Sequence, residues 1–193
     1  MSLPPPSLLR TFIAYVEDLP GVLNRITSLL RRRNYNIVSL TVGRTERAGT
    51  SRMTIVIEAD EDAARRIEAN LYKLVNVLWV EDTTSASTIV RELALVKVRA
   101  DATNRTEVMK VCEVFRARVV DVGPEALVAE ITGNAEKIYG LVDVLRPFGV
   151  LELVRTGGVA MVRSAEAEGD RIPLGPASTD APDPNDDGDV KAA

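Results

Sequence analysis

The sequence predicts an α+β fold, with two ferredoxin-like βαββαβ units in tandem, each an antiparallel sheet with helices on one face, followed by a disordered C-terminal tail. Three observations lead there. Apolar runs of strand length interleave with longer stretches whose apolar residues keep helical spacing, the whole order repeats once, and the last thirty or so residues lose that periodicity altogether.

In the first unit, residues 8–83, LLRTFIAYV at 8–16 reads as a strand, and DLPG opens a helix carrying Val22, Leu23, Ile26, Leu29 and Leu30 on its apolar side. Pro20 suits the first turn, and the helix should end near Asn34. From Asn36 to Val42 strict alternation puts Ile37, Ser39 and Thr41 on one face and Val38, Leu40 and Val42 on the other. A hairpin loop with Gly49 leads to a strand at 52–59, and Ala64, Ile67, Leu71 and Leu74 mark a second helix before VNVLWVED at 75–82.

After a polar stretch at 83–88, the second unit, residues 90–163, repeats the order. RELALVKVRA at 91–100 is a strand, residues 104–117 a helix, and strands at 118–122 and 126–132 flank the turn Gly123-Pro124-Glu125. Ile138, Leu141, Val142 and Leu145 define a helix stopped by Pro147 and Gly149, a strand fills 150–156, and residues 159–163 add a short edge strand. Residues 164–193 mix Pro173, Pro176, Pro182 and Pro184 with Asp, Ser and Gly, without an aromatic residue, which predicts a disordered acidic tail.

Composition narrows the function. The chain has no histidine, which removes the usual general base, the commonest metal ligand and every Ser-His or Cys-His nucleophile, so no catalytic residue is assigned. Zinc spacings, phosphate loops and a GxGxxG turn are missing as well. Cys112 is the single cysteine and belongs to the apolar pattern Val108, Val111, Cys112, Phe115, which predicts a buried thiol. The tail holds eight acidic residues against Arg171 and Lys191, a net −6 within −4 for the whole chain, which leaves the body at +2. A body so near neutrality, with 4% aromatic residues, argues against a nucleic-acid surface. No run reaches the ~20 apolar residues of a membrane span, and the N-terminus lacks the pattern of a signal peptide, so a cytoplasmic location and no membrane partner are expected.

The segment Glu17-Asp18-Leu19-Pro20-Gly21-Val22-Leu23 takes a strand end straight into a helix start, where free N–H groups and the helix dipole favour an anion and Gly21 leaves the backbone approachable. Asp18 is a candidate receptor for an ammonium group, so the segment suits a free α-amino acid. The same residues also suit a plain helix cap and turn. Arg31-Arg32-Arg33 oppose the negative end of the helix dipole, and Trp79 reads as packing.

Residues 8–82 resemble an ACT domain, and EDLPGVLNRITSLLRRRNYNIVSLTVGRTE at 17–46 resembles the start of acetohydroxyacid (acetolactate) synthase small regulatory subunits. SRMTIVIE at 51–58, YKLVNVLWVED at 72–82, RELALVKVRA at 91–100 and FRARVVDV at 115–122 resemble the same family. The resemblance implies a homodimer that binds valine or another branched-chain amino acid between paired first units. It also implies that the chain activates a separate catalytic large subunit, the one carrying thiamine diphosphate, magnesium and FAD, with no cofactor in this chain. Position by position, it implies effector contacts at Asp18, Gly21 and Asn36, with Val22 and Ile37 beside them; many relatives have asparagine where this chain has Asp18. A free-standing ACT regulator of transcription or of another pathway is the alternative, and the second-unit motifs argue against it.

Overall fold

The computed structural model describes residues 9–163. Two halves follow one another, each a sheet with two α-helices. In the first, β1 (Leu9–Glu17), α1 (Val22–Arg32), β2 (Ile37–Arg44), β3 (Thr50–Glu58), α2 (Glu61–Leu71) and β4 (Val77–Asp82) form a sheet of order β2-β3-β1-β4, antiparallel at every pair, under two helices. In the second, β5 (Thr88–Arg99), α3 (Arg105–Val114), β6 (Arg118–Val122), β7 (Ala126–Gly133), α4 (Ala135–Leu145) and β8 (Val150–Arg155) give the order β6-β7-β5-β8, and a short strand β9 (Val159–Val162) pairs with the start of β5. The α+β, tandem ferredoxin-like reading is therefore borne out. The predicted acidic tail lies outside the described residues.

Alternation explains the sheets. Phe12, Ala14 and Val16 of β1 and Met53, Ile55 and Ile57 of β3 point to the helices, where Val22, Ile26 and Leu30 of α1 and Ala64, Ile67 and Leu71 of α2 close the core. The second core repeats this with Ala94, Val96 and Val98, Leu127, Ala129 and Ile131, Val108 and Cys112, and Ile138, Leu141 and Leu145. Cys112 is 1% exposed, as its helical spacing predicts.

Both first helices of the repeat end alike. Tyr35 N–H donates to Leu30 C=O at 3.1 Å and Asn34 N–H to Arg31 C=O at 2.9 Å; Ala117 N–H donates to Cys112 C=O at 2.8 Å and Arg116 N–H to Glu113 C=O at 2.9 Å. These are Schellman ends, and they require a left-handed residue, supplied here by Asn34 (φ 59°) and Arg116 (φ 53°) rather than glycine.

Two features depart from the sequence expectation. The ladder shifts between Ile37 and Ser39, so Ile37 faces Ile57 on the helix side with Leu40 and Val42, while Ser39 and Thr41 face outward. The extra residue, Val38, is a β-bulge, and a bulge leaves no mark in an alternating sequence. Strand β5 also starts at Thr88, inside the expected polar linker, because Thr88–Arg91 pair with β9.

Candidate functional site at the ends of α1

Among the described residues the four α-helices differ at their N-termini. Asp60 caps α2 by accepting from Ala63 N–H at 2.7 Å, and Asn134 caps α4 by accepting from Lys137 N–H at 3.1 Å. Ahead of α3, Asp101 accepts from Thr103 N–H at 2.7 Å and from Asn104 N–H at 3.3 Å, and these bonds, the Thr103 hydroxyl first, hold its carboxyl below the usual range. Helix α1 has Gly21 as N-cap, at φ 86°, and no side-chain cap. Within the described residues, the N–H groups of Leu23 and Asn24 have no acceptor. A Cβ on Gly21 would meet nothing within 4 Å, so the approach to these donors is open. An anion fits there on backbone grounds alone.

Asp18 stands beside this opening but is engaged. Its Oδ1 accepts from Ser51 Oγ and its Oδ2 from Arg44 Nε, both at 3.0 Å. A carboxylate has about four acceptor positions, so lone pairs remain for an ammonium group. The Arg44 side chain is 87% exposed, which makes that ion pair weak and easily exchanged. Behind the loop, Asn76 Nδ2 donates to Glu17 Oε2 at 2.5 Å and Arg25 donates to Asn76, which fixes the end of β1 against α1. Val22 is 4% exposed and packs in the core, so it reaches the site only through its main chain.

Asn36 and Ile37 lie elsewhere. They line a cavity of about 310 Å³ with Thr27, Arg31, Asn34 and Tyr35, at the C-terminal end of α1. The eleven residues of α1 span roughly 16 Å, so one chain holds Gly21 and Asn36 at opposite ends of a helix. The resemblance assigns both to an effector site between paired copies; within one copy they stand at opposite ends of α1. A two-fold partner running antiparallel along α1 would set the Gly21 end of one copy against the Asn36 end of the other. Strand β2 is a sheet edge, with Val38 and Val42 exposed along it, and Leu23 of α1 is exposed as well.

Fold and site together define a tandem ferredoxin-like protein whose first unit keeps one helix N-terminus open, and comparison with known proteins supplies the family. Residues 12–79 match the family described as an AHAS small subunit-like ACT domain, and residues 91–164 match the one described as the small subunit of acetolactate synthase. The chain is 46% identical over 159 residues to the acetolactate synthase small subunit of Mycobacterium leprae (strain TN), covering 82% of this chain and 94% of that one. It is 44% identical over 153 residues to a probable acetolactate synthase small subunit of Archaeoglobus fulgidus, covering 79% and 96%. The crystal structure of the small subunit from Thermotoga maritima superimposes with a TM-score of 0.74 at 36% identity, covering 80% of this chain and 97% of that one. The chain belongs to the acetolactate synthase small subunit family. It is thus a regulatory subunit, and a catalytic subunit is its partner.

Among the described residues no group of three His, Cys, Asp or Glu side chains stands close enough to hold a metal ion, and no helix is long and apolar enough to cross a membrane.

Proposed function

We propose that this chain is a homodimeric, cytoplasmic regulator that activates the acetolactate synthase catalytic subunit and makes it sensitive to valine or a related branched-chain amino acid. The observation that carries this is the open N-terminus of α1 behind Gly21, with the Asp18 carboxylate beside it, where the entries of α2 and α4 are capped by their own side chains. The effector carboxylate docks on the Leu23 and Asn24 N–H groups, the ammonium on Asp18, and Asn36 and Ile37 of the second copy complete the pocket with an amide and apolar surface. Thiamine diphosphate, magnesium and FAD belong to the catalytic partner.

A mixing experiment tests the pocket. Gly21→Asp and Asn36→Ala chains, each weakly inhibited alone, are mixed and assembled with the catalytic subunit, and acetolactate formation is titrated with valine. If the pocket spans two copies, each heterodimer has one doubly altered site and one intact site, so part of the inhibition returns. Absence of recovery with heterodimers verified by mass spectrometry would place both residues in a one-copy site or outside the site altogether.

A further inference from the structure

Resting on that reading of the effector pocket, we propose that Ser39 and Thr41 of β2, gripping the Gly157-Gly158 turn, form the joint through which effector occupancy reaches the second unit. Strand β2 begins at the residues assigned to the effector. Two residues beyond Ile37, past the bulge, the strand turns its hydroxyls to the outer face of the first sheet, away from α1 and α2. There Thr41 Oγ1 donates to Gly158 C=O at 2.8 Å, and Gly158 N–H donates to Ser39 Oγ at 3.2 Å.

The turn is tight at Gly157. Gly157 has φ +82°, and a Cβ on it would lie 2.4 Å from Ser39 Oγ and 3.5 Å from Thr41 Oγ1. Beside it Arg52 of β3 donates to Ala160 C=O of β9, while its Nε donates to Tyr15 OH at 3.2 Å and its Nη1 to Thr54 Oγ1 at 3.3 Å. Ile13 and Thr54, which face outward from the first sheet, are 3% and 2% exposed, so this face is closed over.

The far side of the joint is equally direct. Gly157 and Gly158 connect β8 to β9, and β9 pairs with Thr88–Arg91 of β5, whose later residues form the centre of the second sheet. A displacement of β2 on filling the pocket is therefore transmitted through two hydrogen bonds at a close-packed glycine turn into a strand shared with the second core. Such contiguity gives coupling a physical route, and the coupling itself is what an experiment reads.

The test separates effector binding from its consequence. Thr41→Val keeps the shape and removes the donor, Thr41→Ser retains it, and Gly157→Ala pushes the turn off β2. Valine affinity is measured by calorimetry on each full-length small subunit, and activation and valine inhibition on the reconstituted holoenzyme. Thr41→Val should bind valine within about two-fold of wild type and activate normally, yet need roughly three- to ten-fold more valine for half-inhibition, with Thr41→Ser restoring the wild-type response. Gly157→Ala should show the larger uncoupling where it folds. Wild-type inhibition by Thr41→Val, or a loss of inhibition fully matched by a loss of valine affinity, would overturn the joint. A wild-type chain that binds no valine would overturn the effector reading itself, and the joint with it.

Discussion

Arg155 grips Glu92 through two hydrogen bonds, Nε to Oε1 and Nη2 to Oε2, each 2.6 Å long. Glu92 is 7% exposed and lies on the helix side of β5, in line with Ala94 and Val96, so its charge is sealed into the end of the second core. The bonds to Glu92 raise the pKa of the guanidinium, and the Tyr139 ring lies 4.5 Å beneath it. A bidentate pair satisfies a buried carboxylate more fully than a single bond does.

Removing one partner should therefore cost more than removing both. Arg155→Met leaves Glu92 buried and unpaired, and urea unfolding should show a loss of about 3 kcal/mol or more. The double variant Glu92→Leu with Arg155→Met should recover most of that loss. Equal stabilities for the single and double variants would show that Glu92 finds water on its own.

Gly21→Asp should abolish valine inhibition and leave activation largely intact. Nothing within 4 Å blocks the new Cβ, and aspartate tolerates a left-handed backbone at modest cost, so the protein should fold. The carboxylate then occupies the place proposed for the effector carboxylate and repels it. Losing one or two bonds to a charged group should weaken valine binding roughly ten- to a thousand-fold, and Asn36→Ala about ten- to a hundred-fold. Titration of the holoenzyme, with circular dichroism as the control for folding, reads both.

Glu68 supplies a pH-dependent term of opposite sign to the usual carboxylate. Burial first, then Asp82 and Glu81, raise its pKa. A raised native pKa means that the folded state binds the proton more tightly than the unfolded state, so this contribution destabilises the fold as pH rises through the carboxylate range. Glu68→Gln should be more stable than wild type at pH 7 by ~0.5 kcal/mol, a gain that fades as pH falls to about 4. Denaturation midpoints at the two pH values check it.

Cys112 should report unfolding. It is 1% exposed and its burial pushes the thiol pKa up, so little thiolate is present and little of that is accessible. Iodoacetamide should label the native protein slowly and the urea-unfolded protein at the rate of a free thiol. Rapid native labelling would mean that α3 opens locally.

What the sequence determined by itself was everything that depends on neighbours along the chain. The strands and helices, their repetition, the burial of Cys112 and the helix end at Asn34 follow from spacing and local conformational preference. The opening at Gly21 was legible for the same reason, since a helix start and its cap lie within a few residues. Tertiary structure decided what depends on register and on segments far apart. The bulge at Val38 moved Ile37 to the helix side, the start of β5 was fixed by a strand seventy residues later, and Glu92 was accepted into a core only because Arg155 arrives there. Asp18 found Arg44 and Ser51 across a sheet edge, and Asn36 came to rest a helix length from Gly21. Pairing energies between distant residues are set by three-dimensional packing, and periodicity carries no record of them.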